Sequence, residues 1–256
     1  MKFMASLGGR TVMGSIPTRL LTKVDVCKIL KKAERVKCSG GWVRLSVFSA
    51  RGPRPNNEDS ALVALDENGT ALIAVADGVG GLEKGEVASE TAICVTLSHF
   101  AKNSHRRPDV WLPDAFHDVH TYVKKKAGGG ATTLTVGVLG PWGLYAANVG
   151  DSPLYLATSQ LTLVTKELDE GDGYITQALG HDSYKSPHLY YTKLSAPALV
   201  YAVSDGVDDV LRRAYPQLLS AKKNAFCVAR RLVYSALRAG TRDNATAAVA
   251  FVHRLP

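Results

Sequence analysis

Two short stretches, Ala-Val-Ala-Asp77-Gly78-Val79 and Ala-Val-Ser-Asp205-Gly206-Val207, each end a run of small residues and valine in an aspartate followed by glycine. Other acids fall at similar places. Glu58-Asp59 follow a Pro-rich loop, Asp151 lies in Val149-Gly150-Asp151-Ser152, and Asp243 stands in Arg242-Asp243-Asn244 ahead of a last apolar run. A strand aims the carboxylate at its end, and an adjacent glycine lets a backbone carbonyl approach an ion. Hard divalent cations such as Mg2+ and Mn2+ take oxygen ligands of this kind and retain waters. A lone Asp-Gly is equally well explained as turn chemistry. Repetition at the ends of apolar segments weakens that explanation, but composition alone leaves both open. No His or Cys cluster has zinc spacing, and His117-x-x-His120 on a helical stretch reads as a packing pair.

These carboxylates need elements to hold them. Val43, Leu45 and Val47 alternate with Arg44 and Ser46, the period of a half-buried strand. Residues 51–57 hold two prolines and a glycine and must be a loop. Leu62 to Leu65 and Ala71 to Ala76 read as strands joined by Asp66-Glu67-Asn68-Gly69, a hairpin turn. Helical periods run from Glu86 to Lys102 and from Pro113, in the first turn, to Lys126, where three lysines suit the carboxyl end. Short strands follow over 132–139, 144–149, 154–157, 161–164 and 198–204. A helix capped by Ser220 and stopped by Gly240 comes next, then a strand from Ala245 to Val252. Strand meanders interrupted by helices argue for an α+β layered domain.

Hydrophobic residues make up 46% and charged residues 21% of 256, an ordinary soluble composition, and no apolar run is long enough to span a membrane. The net charge of +8 is dispersed, without interleaved aromatic residues, so acidic or phosphorylated partners are expected rather than nucleic acid. Four cysteines without a Cys-x-x-Cys pair fit reduced thiols. The first 24 residues carry Lys2, Arg10, Arg19 and Lys23 and no acid. The expected location is cytoplasmic, with the mitochondrial matrix as the alternative that this basic leader suggests. Residues 1–40 are read as an amino-terminal extension of unknown role and 41–256 as one domain, expected to be a monomer.

In order, the chain shows Gly52-x-Arg54-x-x-Asn57-Glu58-Asp59, Val75-Ala76-Asp77-Gly78-Val79-Gly80-Gly81, Gly130-Ala131-Thr132, Asn148-Val149-Gly150-Asp151-Ser152, Ser204-Asp205-Gly206-Val207 and Asp243-Asn244-Ala245-Thr246. This series resembles the motifs of the metal-dependent Ser/Thr protein phosphatases, the PPM family or type 2C. The resemblance implies a four-layer α/β/β/α sandwich of two antiparallel sheets flanked by helices, with two Mn2+ or Mg2+ ions at one end. By position, Asp77 would bridge both ions, the Gly78 carbonyl would bind one, and Asp205 and Asp243 would hold the other. Glu58 and Asp59 would orient waters, Arg54 would clamp the substrate phosphate, and Asp151 matches the position of a third, weaker ion. Asn244 would support the Asp243 turn, and Gly206 would have only a conformational role.

The implied reaction is hydrolysis of phosphoserine and phosphothreonine on proteins by a metal-activated water without a covalent intermediate. Its partners would be phosphoprotein substrates and a cognate Ser/Thr kinase. Two features depart from the pattern. Val79 stands where many eukaryotic members carry a His, and the mobile flap usual in bacterial members is reduced to Glu170-Gly171-Asp172-Gly173. A scaffold protein without turnover, or a small-molecule phosphatase on the same fold, are the alternatives.

Overall fold

The computed structural model describes the backbone of residues 5–7, 10–12, 24–30 and 36–39, and residues 41–79, 84–165, 176–219 and 225–255. In chain order the elements are β1 (Ala5–Leu7), β2 (Arg10–Val12), β3 (Val24–Leu30), β4 (Val36–Ser39), β5 (Val43–Ala50), β6 (Asp59–Asp66), β7 (Ala71–Asp77), α1 (Gly85–Asn103) and α2 (Pro108–Ala127). There follow β8 (Leu134–Gly140), β9 (Gly143–Val149), β10 (Leu154–Ala157), β11 (Leu161–Leu163), β12 (His188–Thr192) and β13 (Ala198–Val203). The chain ends with α3 (Asp205–Leu211), α4 (Tyr215–Leu219), α5 (Ala225–Arg238) and β14 (Ala245–Val252).

Two six-stranded antiparallel sheets carry the fold, ordered β11-β10-β13-β14-β5-β4 and β12-β9-β8-β7-β6-β3, while β1 and β2 form a separate hairpin. From the segment before residue 41, β3 pairs with β6 and β4 with β5, so each occupies a sheet edge. Three apolar layers hold the stack together. Leu45, Val63, Ile73 and Val200 meet between the sheets. Leu62, Leu72 and Ala74, on the opposite face of the same strands, meet Phe100, Phe116 and Val119 of α1 and α2. Tyr201, Val249 and Phe251 meet Val228, Leu232 and Val233 of α5. The architecture is the expected α/β/β/α sandwich.

Covering both faces changes the strand pattern. The alternation at 43–47 predicts a half-buried strand, yet in β5 only Arg44 is exposed and Ser46 is fully buried. A sheet sandwiched between a sheet and helices has no wet face, so its strands read as nearly continuous apolar runs. Full burial of each such Leu, Ile or Val side chain contributes about 1.5–3 kcal/mol.

The hairpin turn at 66–69 is as expected: Asp66 Oδ1 accepts from the amides of Asn68 (3.0 Å) and Thr70 (2.6 Å), and Gly69 takes φ 85°. Helix α2 starts earlier than its sequence suggested, with Pro108 in the first turn and Pro113 inside. An internal proline forgoes one ladder hydrogen bond, and the buried face made by Trp111, Leu112, Ala115, Phe116, Val119 and Val123 offsets that loss. His120 is a packing residue, stacked on Tyr184 at 4.6 Å and accepting from the Gly180 amide at 3.2 Å. Ser220, Gly80, Gly81 and the shortened flap around Gly171 lie outside the described residues. No helix among the described residues is long and apolar enough to cross a membrane.

Candidate metal and phosphate site

The acids meet at one end of the sandwich because the strands that carry them end there. Asp59 opens β6 and Asp77 closes β7, and the two are register partners across the ladder. Asp205 opens α3 directly after β13, and Asp243 precedes β14, the neighbour of β13. The segment expected to leave Asp205 at a strand end turns into a helix at that residue.

Four glycines let these segments touch. A Cβ on Gly78 would lie 2.6 Å from the Gly85 backbone at the start of α1, and one on Gly85 would lie 3.1 Å from the Glu58 carboxyl carbon. One on Gly206 would lie 2.0 Å from the Asn244 carbonyl. Gly206 has no left-handed backbone, so its expected conformational role is replaced by a steric one: it lets the first turn of α3 rest on the 243–244 turn. Gly52 has both reasons, with φ 62° and a would-be Cβ 2.3 Å from the Asp243 carbonyl.

Hydrogen bonds fix the rest. Asn244 is the knot: its amide takes Asp243 Oδ1 (2.7 Å), its Oδ1 accepts from the Glu58 amide (2.8 Å), and its Nδ2 donates to the carbonyls of Arg51 (2.7 Å) and Asn56 (2.9 Å). Around Asp77, its amide donates to Thr133 Oγ1 (3.0 Å), and its carbonyl accepts from Thr132 Oγ1 and the Thr133 amide, both at 2.8 Å. Thr133 Oγ1 also meets Ser152 Oγ at 2.9 Å, which ties the Asp151 turn to the end of β7. Ser204 Oγ donates to Asp59 Oδ2 at 2.8 Å, between Asp59 and the Thr246 amide. Thr133, Ser152 and Ser204 were missed as positioning groups by sequence reasoning.

The electrostatics are those of acids packed together, with Arg54 as the cation at their rim. Burial, then the field of Asp59 and Asp205, raises the Asp77 carboxyl well above the ordinary carboxylate range, with Asp151 adding to it. Asp59, fully buried, is pushed up to about 7, chiefly by burial, with hydroxyl hydrogen bonds from Thr246 and Ser204 opposing. Asp205 is raised by burial and by Asp243 and Asp209, and Glu58 by burial and Glu86. Asp209, four residues beyond Asp205 on α3, is raised by burial and by Asp243, and it too escaped sequence reasoning. Arg54 is the nearby cation: Nη2 donates to Asp243 Oδ2 at 2.5 Å and Nε to the Arg242 carbonyl at 3.2 Å, while its side chain stays 45% exposed.

No group of three His, Cys, Asp or Glu side chains among the described residues is arranged to hold an ion unaided. Mg2+ and Mn2+ do not require one, because they keep waters and accept carbonyl oxygen beside one or two carboxylates. The donor set fits that habit. Asp59 Oδ1 and Asp205 Oδ1 are buried without a hydrogen-bond partner, and the mutual repulsion of Asp77, Asp59 and Asp205 is what a cation would relieve.

Comparison with known proteins agrees. Residues 51–235 match the model of a family described as protein phosphatase 2C. The chain belongs to this family. Among its relatives, the serine/threonine phosphatase stp of Listeria innocua is 25% identical over 224 residues, 75% of this chain and 89% of that one. The serine/threonine protein phosphatase PstP of Mycobacterium tuberculosis is 31% identical over 240 residues, 82% of this chain and 45% of that one. The chain thus spans about half the length of several curated relatives it matches, PstP and the 53% matched of stp from Listeria monocytogenes among them. The catalytic domain of PstP in complex with two manganese ions superposes with a TM-score of 0.69 at 28% identity, covering 83% of this chain and 99% of that one. Among the described residues, Asp59, Asp77, Asp151, Asp205 and Asp243 thus come within electrostatic reach of one another at one end of the sandwich.

Proposed function

We propose that this chain is a Mn2+- or Mg2+-dependent protein-serine/threonine phosphatase acting on phosphoproteins made by a cognate Ser/Thr kinase. The observation that supports it most is the mutually repelling set of fully buried Asp59 and half-buried Asp77 and Asp205 next to an exposed arginine. It has the composition of a divalent-cation site with a phosphate grip at its rim. The names of the type 2C relatives, serine/threonine phosphatases, agree with it.

Asp77 with the Gly78 carbonyl, and Asp205 with Asp243, would hold two cations, with Asp77 shared. Asp151 would serve a third and weaker one. Bound there, the cations would lower the pKa of a water and neutralise the phosphate oxygens. The chain's own residues do the rest. Glu58 and Asp59 accept hydrogen bonds from water and hold it in orientation, the latter fixed by Ser204. Asn244 pins the Asp243 turn to the Arg54 loop. Arg54 offers a planar fork to two equatorial phosphate oxygens, while the carboxylate cluster has no such attraction for a dianion by itself.

The test is hydrolysis of p-nitrophenyl phosphate and of a phosphothreonine peptide, with and without Mn2+, by the wild type and by Asp77→Asn. Turnover that needs Mn2+ and is lost in the variant is expected. Metal-independent turnover, or full activity in the variant, contradicts the assignment. Mn2+ binding without turnover of any phosphoester would replace it with a scaffold role.

A further inference from the structure

Away from the carboxylates, a groove of about 610 Å³ runs along the outer face of α5. Arg230, Arg231, Tyr234, Ser235 and Arg238 line it, and Leu218 at the end of α4 closes one side. These α5 residues recur at helical spacing, so they form one stripe. The opposite stripe, Val228, Ala229, Leu232, Val233 and Ala236, is buried on the sheet. Helix α5 is therefore fully committed on one side and presents three arginines on the other. No acidic side chain is among the described residues lining the groove.

Two details hold this surface in place. Tyr234, 48% exposed, packs at a 39° tilt on Phe48 of β5 with ring centroids 5.4 Å apart. The Arg230 guanidinium lies over the Tyr234 ring at 6.0 Å.

The groove also has a direction. Gly240, at φ 84°, ends α5, with the Thr241 amide bonded to the Ala236 carbonyl (3.1 Å) and the Gly240 amide to the Leu237 carbonyl (3.2 Å). The chain then passes through Arg242 to Asp243. Leu237 Cδ2 lies 3.8 Å from where a Cβ of Gly52 would be, so the last turn of α5 packs against the loop that carries Arg54. The Arg238 end of the groove therefore opens beside the proposed phosphate grip, and the Arg230–Arg231 end lies further along the helix.

We propose that this groove docks an acidic stretch of the substrate protein, flanking the phosphorylated residue held at Arg54. The inference rests on the phosphatase reading given above. Arg231 and Arg238 are seven residues apart, about 10 Å along the helix. An extended peptide rises about 3.3 Å per residue, so the arginines match two carboxylates three or four residues apart. A single small anion would engage only one end. The open, elongated shape and the aromatic floor also suit a peptide, and the positive field complements its charge.

The probe is a fluorescein-labelled unphosphorylated peptide carrying two Glu three residues apart, titrated against the Mn2+-loaded full chain. A second pair of peptides bears phosphothreonine with the same Glu residues or with Ala in their place. Arg231→Glu/Arg238→Glu should weaken binding of the labelled peptide by about a hundredfold, tenfold for each lost charge-assisted contact. It should also abolish the preference for the acidic phosphopeptide through KM, with p-nitrophenyl phosphate turnover unchanged. If the double reversal lowers that turnover, Arg231→Gln/Arg238→Gln takes its place. No binding by the wild type, equal binding by the variant, or an acidic preference that survives it would overturn the proposal. Binding of phosphatidylserine vesicles in place of the peptide would assign the groove to a membrane and overturn it too. Charge-dependent peptide binding without turnover of any phosphoester would leave the docking groove standing and remove the phosphatase reading.

Discussion

Arg54 and Asp243 form an ion pair at the rim of the carboxylate cluster, Nη2 to Oδ2 at 2.5 Å, although the Arg54 side chain remains 45% exposed. The pair links the proposed phosphate grip to a proposed metal ligand, and it uses only part of the guanidinium. With Nε on the Arg242 carbonyl, the remaining donors face solvent and are free to meet phosphate. Removing the side chain should therefore damage substrate handling more than metal binding. For Arg54→Ala, kcat/KM on p-nitrophenyl phosphate is expected to fall about a hundredfold or more. Mn2+ affinity should change by less than about tenfold, as for the loss of an exposed ion pair, because Asp243 keeps its bond from the Asn244 amide. Steady-state kinetics and calorimetric Mn2+ titration check both halves. A parallel loss of metal would instead make Arg54 a support for Asp243.

The clustered acids set the pH response of the metal-free protein. Burial first, and mutual repulsion second, raise Asp59 to about 7, and Asp77 and Asp205 move in the same direction. An acid whose folded pKa lies above its unfolded value binds more protons folded than unfolded. Its penalty is absent below the unfolded value of 3.8, grows as pH rises towards about 7, and is constant beyond. In EDTA, urea midpoints should thus fall between pH 5 and pH 8 for this reason. Saturating Mn2+ should remove that fall, and its binding near pH 6 should release protons, read as a buffer-dependent calorimetric enthalpy. A metal-free midpoint that rises over this range would contradict the cluster's electrostatics.

Much of this arrangement is legible in the chain because strong periodicities and short motifs carry it. The apolar stripe of α5, the Asn68-Gly69 turn and the acids at segment ends each have a local signature. Three kinds of feature do not. Strand β12 is a short edge strand with exposed Leu189 and Tyr191, so no burial pattern marks it. Helix α3 begins on Asp205-Gly206, a pair that otherwise signals a turn, and only Val207 and Leu211 at i, i+4 betray it. The hydroxyls that hold the acids act over long distances in sequence: Ser204 reaches Asp59 across 145 positions and Thr133 reaches Asp77 across 56. Single serines and threonines have no pattern until the fold brings them together.

The contact at Gly206 gives a sharper test. A methyl group there would have to sit 2.0 Å from the Asn244 carbonyl and 3.0 Å from Asp243 Cβ, against backbone that β14 and four hydrogen bonds hold in place. Gly206→Ala should cost about 1–3 kcal/mol, as overpacking does, and should push α3, with Asp205, away from Asp243. Reduced urea stability together with weakened Mn2+ binding is the expected result. A variant as stable as the wild type would mean that the first turn of α3 adapts freely.

Behind the cluster, Asp208 is the acceptor for two buried tyrosines, Tyr155 and Tyr215, each with its hydroxyl 2.9 Å from Oδ1, and Arg212 lies 3.3 Å from Oδ2. Tyr155, Tyr201 and Tyr215 pack with ring centroids 5.2–5.4 Å apart beneath α3. Burial raises the Asp208 carboxyl, yet the two hydroxyls favour its charged form and oppose that shift. Asp208→Ala would leave both hydroxyls buried without their acceptor, at about 1–3 kcal/mol each, and would loosen the helix that presents Asp205. Tyr215→Phe removes one donor and leaves Asp208 with Tyr155 and Arg212, so it should cost about 1 kcal/mol. Urea denaturation in EDTA measures the two costs, and Mn2+ titration measures the consequence at the site. The aspartate variant should lose several times more stability than the tyrosine variant and should also bind Mn2+ more weakly. Equal small effects would show that water replaces Asp208 and that the tyrosine layer does not position α3.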